Sequence, residues 1–385
     1  MAVTPRRVPS GGPRIALVRG RYDAFGGAER FIERALAALK AQGASVTVIT
    51  RSWPGNDGTA IIIDPFHVGS LWRDRSFARA VCERLARERF DLVQSHERLS
   101  CCDVYRAGDG VHAEWLAQRA RSQSPLRALA TRLNPRHRWL LEAERALFTG
   151  TRLKAVICNS RMVAAEISRH FATAEEKLHV IPNGVDCAQF HPGLREEHRA
   201  AMRQQLGLSQ EARVFLHVGS GFERKGVAFF LAALAKLGAT DAAIVVGKDK
   251  HAARYRALAD RLGLGRRVVF AGGVSDVRPY YGAADAFVLA TLYDPFPNAA
   301  LEAMACALPV VTGPKCGAAE LLAGNRGGRV VDPIDIAALA GAMGALEGGV
   351  ARAVGIEARA LVEPLTLEAM ARRYAELYSS LLPAA

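Results

Sequence analysis

The chain carries the same local pattern twice, and this repeat most constrains how it can fold. An apolar run of strand length leads into a glycine loop and then into a segment with helical periodicity. The first copy covers residues 14–50, with Gly26 and Gly27 in its loop, and the second covers 213–246, with its loop at 219–226. Strands that alternate with helices favour parallel sheets. The repeat therefore predicts two α/β halves.

A chain of 385 residues is too long for one ordinary core, so two domains are expected. The join is expected near 186–210, which carries a proline, a glycine and many charged or polar residues. We predict a first domain over 1–188 and a second over 189–365, with a last helix in 366–385 crossing back onto the first. Other predicted strands lie at 90–94, 154–159, 180–181, 268–270, 286–289 and 309–312. Two facing sheets place a ligand in the cleft between their strand ends.

The net charge of +13 indicates an anionic partner. Nucleic acid, an acidic membrane surface and a phosphorylated substrate all satisfy this charge. The sequence has no RNP or KH pattern that would favour RNA.

The seven cysteines are odd in number and form no C-x-x-C motif, and the adjacent pair Cys101 and Cys102 has poor geometry for a disulfide. We therefore expect reduced, mostly buried thiols and no structural metal. No apolar run reaches the length of about 18 residues that a spanning helix needs. The segment before Pro13 lacks the apolar core of a signal peptide, so a cytoplasmic location is expected.

Two carboxylates mark a candidate site for a nucleotide-sugar. Asp294 lies in a proline-rich loop, and Glu302 follows in a short helix whose first turn accommodates Pro297. Sugars and ribose both offer pairs of hydroxyl groups, for which carboxylates are strong acceptors. We expect both side chains to face one cleft.

The second glycine loop places Arg224 beside Lys225 and is followed by Gly226. Arginine grips phosphate oxygens through two hydrogen bonds and lysine adds a point charge, so we predict diphosphate binding. A solvated pair of charges is the alternative. The loop lacks the G-K-[ST] of a P-loop, and the first loop lacks G-x-G-x-x-G, which disfavours a nicotinamide cofactor.

Residues 115–141 are basic and contain no acidic side chain. Leucines and tryptophans alternate with the arginines, a composition typical of helices on anionic membrane surfaces. A solvated helical face and an RNA-binding face are the alternatives. The predicted membrane-binding residues are Trp115, Arg119, Arg121, Arg127, Arg132, Arg136 and Arg138.

Nearly the whole chain resembles the retaining glycosyltransferases of family 4, which have the GT-B fold of two Rossmann-like domains facing each other across a cleft. The motifs that carry the resemblance are Phe25-Gly-Gly27, the turn at 181–186, Arg224-Lys225-Gly226 and the carboxylate pair at 294–302. Within that family the chain is most similar to the branch that acts on the lipopolysaccharide core.

The resemblance implies a role for each matching residue. Arg224 and Lys225 would neutralise the diphosphate, Asp294 would hold the donor sugar, and Asp109 would contact the same sugar. These four residues are the implied catalytic set. The implied donor-binding residues are Gly26, Gly27, Gly219, Gly273, Val274, Asn298, Ala299 and Glu302.

The activity implied is transfer of a hexose, glucose first, from a UDP-sugar to an inner-core heptose of lipopolysaccharide. Neither a metal nor a cofactor is implied, nor a nucleic-acid partner, and the enzyme would associate peripherally with the cytoplasmic face of the inner membrane. The family motif begins with Glu where this chain has Asp294, one methylene shorter, which leaves galactose and N-acetylhexosamine open as donor sugars. Another family 4 transferase, a nucleotide-sugar epimerase and a non-catalytic basic membrane-binding protein are the alternatives.

Overall fold

A computed structural model describes residues 12–20, 43–53 and 60–382; Gly26 and Gly27 lie outside these residues. Within them the chain forms two sheets in which all strand pairs are parallel. The two α/β halves expected from the repeated pattern are confirmed.

The first sheet has seven strands in the described residues, in the order β3-β2-β1-β4-β5-β6-β7. Val and Ile fill much of these strands, as expected where helices cover both faces of a parallel sheet. Two of the shortest strands, β3 and β5, were not predicted from the sequence. The strands are β1 Arg14–Val18, β2 Ser45–Thr50, β3 Ala60–Ile62, β4 Leu92–Ser95, β5 Val104–Arg106, β6 Ala155–Cys158 and β7 Leu178–Val180.

The second sheet has six strands in the described part of the chain, in the order β10-β9-β8-β11-β12-β13. The strand order reverses between β8 and β11, which opens a crevice at the carboxyl ends of these two strands. The strands are β8 Arg213–Val218, β9 Asp241–Val246, β10 Val268–Gly272, β11 Ala286–Leu289, β12 Val310–Thr312 and β13 Gly328–Val330.

Helices connect the strands of each sheet and cover its faces. In the first half they are α1 Gly69–Arg87, α2 His112–Ala120, α3 Pro125–Leu133, α4 Pro135–Phe148 and α5 Arg161–Phe171. In the second half they are α6 Leu194–Gln205, α7 Val227–Leu234, α8 Ala252–Arg261, α9 Arg278–Ala283, α10 Asn298–Ala305, α11 Ile336–Gly344 and α12 Gly348–Val362, with α13 Leu367–Leu381 at the end of the chain.

The last helix crosses back onto the first sheet, as expected. Met370 and Tyr374 of α13 are buried in one apolar cluster with Ile15 and Leu17 of β1. Arg106 of β5 donates from Nε to the Tyr374 hydroxyl at 2.9 Å. The carboxyl end of the chain therefore belongs to the core of the first half.

The segment expected to be a linker contains α6, which packs against α9 of the second half. Arg203 of this helix is fully buried and donates to the Asp285 carboxylate at 2.6 Å and to the Ala283 carbonyl at 2.9 Å. The polar sequence of this segment gives no sign of the packing, because the buried side chain is a charged arginine that is paired with a carboxylate. The domain boundary between residues 188 and 189 stays a prediction.

The prediction that all the cysteines are reduced thiols is wrong in this structure. Cys82 of α1 and Cys101 form a disulfide, with their Cα atoms 5.7 Å apart. Cys101 pairs with a residue 19 positions away rather than with its neighbour Cys102, because α1 packs against the loop that follows β4. The other five cysteines are free.

Candidate active site between the two sheets

The candidate site is built from loops at one edge of the second sheet. Loop 219–226 follows β8, loop 290–297 follows β11, and loop 313–316 follows β12. Carboxyl ends of parallel strands lie at the same edge, so the three loops meet at the crevice where the strand order reverses.

Lys225 and Asp294 are in direct contact. The Lys225 ammonium donates a hydrogen bond to the Asp294 carboxylate, and Asp294 is only 5% exposed. The Asp294 backbone is also fixed, since its N–H donates to the Lys315 carbonyl at 2.9 Å and its carbonyl accepts from the Gly317 N–H at 2.8 Å. The structure thus brings a predicted phosphate-binding cation against the predicted sugar-binding carboxylate.

The glycine after Lys225 allows the two loops to approach closely. Gly226 has a φ of 72°, and a Cβ atom there would overlap the Ala290 carbonyl. The Arg224 carbonyl accepts hydrogen bonds from Thr291 Oγ1 at 2.8 Å and from the Leu292 N–H at 3.1 Å. The basic loop is therefore anchored to the segment that carries Asp294.

Arg224 reaches toward the first domain, where Asp109 lies. Its Nε donates to the Tyr293 carbonyl at 2.8 Å, and Arg224 and Asp109 line the same cavity of about 440 Å³. Desolvation raises the pKa of Asp109, but the positive charges of Arg98 and Arg224 outweigh it and hold that pKa below its usual value. Asp109 is therefore ionised at neutral pH and faces a cation across the cleft.

Glu302 of α10 accepts a hydrogen bond from the Tyr281 hydroxyl at 2.8 Å. Burial raises the pKa of Tyr281 well above its usual value, and the negative charge of Glu302 adds to this effect. The phenol therefore stays protonated and orients the carboxylate. Nothing in the sequence marked Tyr281, since a tyrosine before a strand is ordinary core composition.

Asn298 connects the site to the first domain. The Asn298 Oδ1 accepts a hydrogen bond from Asn183 Nδ2 at 2.8 Å, and Asn183 Nδ2 also donates to the Phe296 carbonyl at 3.0 Å. Asn183 Oδ1 in turn accepts from Arg106 Nη2 at 2.7 Å. Asn183 belongs to the turn at 181–186, one of the motifs that carry the family resemblance, and the structure gives this turn a contact across the cleft.

Three of the remaining predicted donor-binding residues lie in or near the loop after β8, whereas Ala299 lies in α10, where its carbonyl accepts from the Tyr281 hydroxyl at 3.1 Å. Lys248 lies against Gly273, where a Cβ atom would clash with its side chain, and its N–H donates to Ser220 Oγ at 3.0 Å. A Cβ atom on Gly219 would make a tight contact with the aliphatic part of the Lys225 side chain. Val274 is partly buried and packs against the core of the second half.

The family is settled by comparison with known proteins. Residues 25–189 match the model described as Glycosyltransferase Family 4, and residues 212–349 match that described as Glycosyl transferases group 1. Over 325 residues the chain is 30% identical to the lipopolysaccharide glucosyltransferase WaaG of Escherichia coli (strain K12), covering 82% of this chain and 84% of WaaG. The chain is a family 4 glycosyltransferase.

Two further similarities agree with this assignment. The crystal structure of WaaG, a glycosyltransferase involved in lipopolysaccharide biosynthesis, matches with a TM-score of 0.81 at 27% identity, covering 94% of this chain and 99% of that structure. The lipopolysaccharide core biosynthesis glycosyltransferase LpsE of Rhizobium meliloti (strain 1021) is 25% identical over 317 residues, covering 80% of this chain and 81% of LpsE. The transferase therefore has the expected GT-B fold.

Tyr293 and Lys315 connect the two domains of the transferase, and neither was predicted. The Tyr293 hydroxyl donates to Glu166 at 2.7 Å and accepts from the Val111 N–H at 2.8 Å. Lys315 Nζ lies 2.8 Å from Glu166 and 2.8 Å from Glu114. Desolvation raises the pKa of Glu114, but hydrogen bonds led by that of Lys315 outweigh it and lower the pKa to about 2.

Several of the arginines that we predict to bind a membrane form ion pairs with carboxylates of the transferase itself. Arg119 donates to Glu223 at 2.9 and 3.0 Å, and Arg121 pairs with Asp332, so both join the first domain to the second. Arg136 pairs with Asp74 of α1 at 2.9 Å. Three of the predicted arginines make no ion pair with any described carboxylate, namely Arg127, Arg132 and Arg138.

Helix α3 lies at the centre of the predicted membrane-binding region and has no buried residue. Leu126, Leu129 and Leu133 recur at helical spacing, and their exposed fractions are 80%, 53% and 64%. Exposed leucines on one side of a helix are the apolar surface that an interfacial helix needs. No helix among the described residues is long and apolar enough to cross a membrane.

Proposed function

We propose that this transferase moves a hexose from a UDP-sugar to an inner-core heptose of lipopolysaccharide, with retention of anomeric configuration. The observation that carries the proposal is the contact of Lys225 with Asp294 beside Arg224, which pairs phosphate-binding cations with a sugar-binding carboxylate. The names of two relatives, a lipopolysaccharide glucosyltransferase and a lipopolysaccharide core biosynthesis glycosyltransferase, support the acceptor class. The first name also favours glucose as the sugar.

The pair Lys225–Asp294 can exchange partners when the donor binds. The diphosphate is a stronger attraction for the Lys225 ammonium than one carboxylate, and Arg224 lies beside it to grip phosphate oxygens through two hydrogen bonds. Asp294 is then released to accept hydrogen bonds from the sugar hydroxyls. Glu302, oriented by Tyr281, would accept from the ribose hydroxyls in the same way.

Charge on the departing UDP would be stabilised by Arg224, Lys225 and the loop N–H groups. We propose that this needs no metal ion and no cofactor. The bond between the anomeric carbon and the phosphate oxygen breaks, and the acceptor oxygen bonds to the anomeric carbon on the same face. The proton of the acceptor hydroxyl goes to the departing phosphate oxygen, so configuration is retained without a covalent enzyme intermediate.

The cavity that holds Asp109 is proposed to receive the acceptor. It lies on the first-domain side of Arg224, and Arg98, Asp74 and His112 line it together with Asp109. Polar and charged groups of both signs suit a sugar, which offers donors and acceptors on every face. Asp109 would contact the sugars near the reacting carbon.

The proposed location is the cytoplasmic face of the inner membrane, where a lipid-linked acceptor would be found. The exposed leucines of α3 would enter the interface, and Arg127, Arg132 and Arg138 would face anionic headgroups. Each such cation contributes about 1 kcal/mol near a charged leaflet, which gives reversible binding. Arg119, Arg121 and Arg136 would act less directly, because carboxylates already pair with them.

The first experiment is UDP release by the purified protein with a panel of UDP-hexoses, with and without a heptose-terminated core acceptor and in the presence of chelator. Release that needs both one UDP-sugar and the acceptor would support the proposal and identify the sugar. Acceptor-dependent release that chelator abolishes would refute the metal-independent part. Interconversion of donors without any acceptor would indicate an epimerase instead.

A further inference from the structure

A second exposed apolar surface lies at the start of α1, outside the region predicted to bind membranes. Phe66, Val68 and Trp72 have exposed fractions of 79%, 67% and 49%, and the Phe66 and Trp72 rings meet edge to face at 5.6 Å. We call these three residues the α1 lip. Large apolar side chains that are exposed together, unlike single ones, mark an interaction surface.

The lip opens onto a groove between α1 and α4 with a volume of about 770 Å³. Trp72 lines it from α1, and Trp139, Ala143 and Ala146, which recur at helical spacing, line it from α4. Apolar side chains of both helices therefore line part of the groove, beside polar residues that include Ser76 and Ser100. Arg75 and Arg79 lie one and two turns beyond Trp72 on the same exposed side of α1, and they too line the groove.

Helix α1, which carries the lip at its start, and helix α3, which carries the exposed leucines, both contact α4. Only Asn134 separates Leu133, at the end of α3, from the first residue of α4. In the first turn of α4, Arg136 pairs at 2.9 Å with Asp74, which is two residues from Trp72. Helices α1 and α3 thus both adjoin the start of α4.

We propose that the α1 lip is a second membrane contact, which enters the interface of an anionic bilayer together with α3. The proposal deepens the proposed membrane association and rests on it. Tryptophan and phenylalanine favour the level of the lipid headgroups, and arginines beside them favour anionic headgroups.

The charges at the lip favour a bilayer over a second copy of the chain. Arg75 has no ion-pair partner among the described residues, and Arg79 pairs only with Glu83, where both side chains are exposed and the pair is easily replaced. Two molecules that each carry a net charge of +13 repel one another, whereas a leaflet rich in phosphatidylglycerol attracts this face.

The test is co-sedimentation of the full chain with vesicles of phosphatidylethanolamine and phosphatidylglycerol. The lip variant Phe66→Ser/Val68→Ser/Trp72→Ser is expected to reduce the partition coefficient at least tenfold. The matched control is Val350→Ser/Ile356→Ser, which removes apolar side chains of α12 that are 52% and 67% exposed. The control is expected to bind within twofold of the unmodified protein.

Separate variants distinguish the lip from the association as a whole. If Leu126→Ser/Leu129→Ser/Leu133→Ser abolishes vesicle binding and the lip variant binds normally, the lip proposal is wrong and the α3 surface stands. If the unmodified protein fails to bind anionic vesicles, both proposals are wrong. UDP release with a water-soluble core acceptor should be unchanged in the lip variant, and its loss would place these residues in catalysis instead.

Fluorescence gives a readout that does not depend on the triple variant. Brominated phosphatidylglycerol in the vesicles should quench part of the tryptophan emission, and Trp72→Phe should remove that part while vesicle binding is retained. Equal quenching with and without Trp72 would overturn the proposal. The proposal would also be overturned if the lip variant changed the mass measured by light scattering but not the vesicle binding. The surface would then be a contact between protein molecules.

Discussion

Replacing Lys225 tests the centre of the proposed site, because this residue has two separable roles. Without donor its ammonium pairs with Asp294, and with donor it is proposed to bind the diphosphate. Lys225→Met removes both interactions while keeping most of the aliphatic side chain. Asp294→Asn removes only the negative charge, and the double variant removes both charges together.

The burial of the pair sets the expected size of the effect. The Asp294 side chain is 7% exposed and that of Lys225 is 20% exposed, so Lys225→Met leaves an unpaired carboxylate almost out of water. Breaking a fully buried pair costs about 3–5 kcal/mol, and we discount this to about 2–3 kcal/mol because the ammonium reaches solvent. Asp294→Asn should cost only about 1 kcal/mol, since the lysine can turn to water.

The double variant is then expected to be more stable than Lys225→Met alone, with a coupling of about 1–2 kcal/mol. For a domain of 150–250 residues, each kcal/mol shifts the melting temperature by about 2–4 °C. Differential scanning fluorimetry should therefore show Lys225→Met melting about 5–10 °C lower. In the UDP-release assay all three variants should lose at least about 100-fold in kcat/KM, because neither role in donor binding is restored.

Stability and activity are thus predicted to separate, which a general folding defect would not produce. The control is Lys236→Met, an exposed lysine of the same domain without an ion pair to any described residue, and it should change neither quantity. Strictly additive stability losses would show that the pair is energetically unimportant. Activity of Lys225→Met within about threefold of the unmodified enzyme would refute the diphosphate role.

Three further predictions follow from other contacts. Tyr281→Phe should raise the donor KM about fivefold or more, because Glu302 loses the hydrogen bond that orients it, whereas Tyr378→Phe, which removes another buried tyrosine hydroxyl, should leave KM unchanged. Burial lowers the pKa of His112 to about 3, so as pH falls below 6.5 this imidazole binds a proton only in the unfolded chain. The free energy of unfolding should therefore fall by about 2 kcal/mol near pH 5. Thermal melts of His112→Asn should show a flatter dependence on pH. Thiol titration of the denatured, non-reduced protein should find five thiols, and seven would rule out the disulfide.

Much of the fold was predictable because the strands are continuous apolar runs bounded by glycines. Strand β11 agrees with its prediction at both ends, and β8 agrees to within one residue. The strands that were missed, β3, β5 and β13, have three residues each, too few for periodicity to register. Helix α6 was missed because its only fully buried large side chain, Arg203, is charged.

The candidate site was predictable where its residues are close in sequence and less so where the fold brings distant segments together. Arg224, Lys225, Asp294 and Glu302 lie in short motifs, and the structure brings the first three into one cluster. Neither Tyr281 nor Lys315 belongs to a short motif, because the carboxylates that they contact lie in other segments of the chain. The disulfide escaped prediction for the same reason, because spacing along the chain does not show which cysteines the packing of α1 brings together.

The environment of Tyr293 has a consequence for turnover. Its carbonyl holds Arg224, its backbone leads directly into Asp294, and its hydroxyl contacts Glu166 and the Val111 N–H of the opposite domain. A movement that separates the domains to admit a donor or release UDP must break these hydroxyl contacts. Tyr293 would then couple closure of the domains to alignment of the reactive groups. The rate of domain opening, rather than the rate of bond cleavage, would then limit the turnover rate.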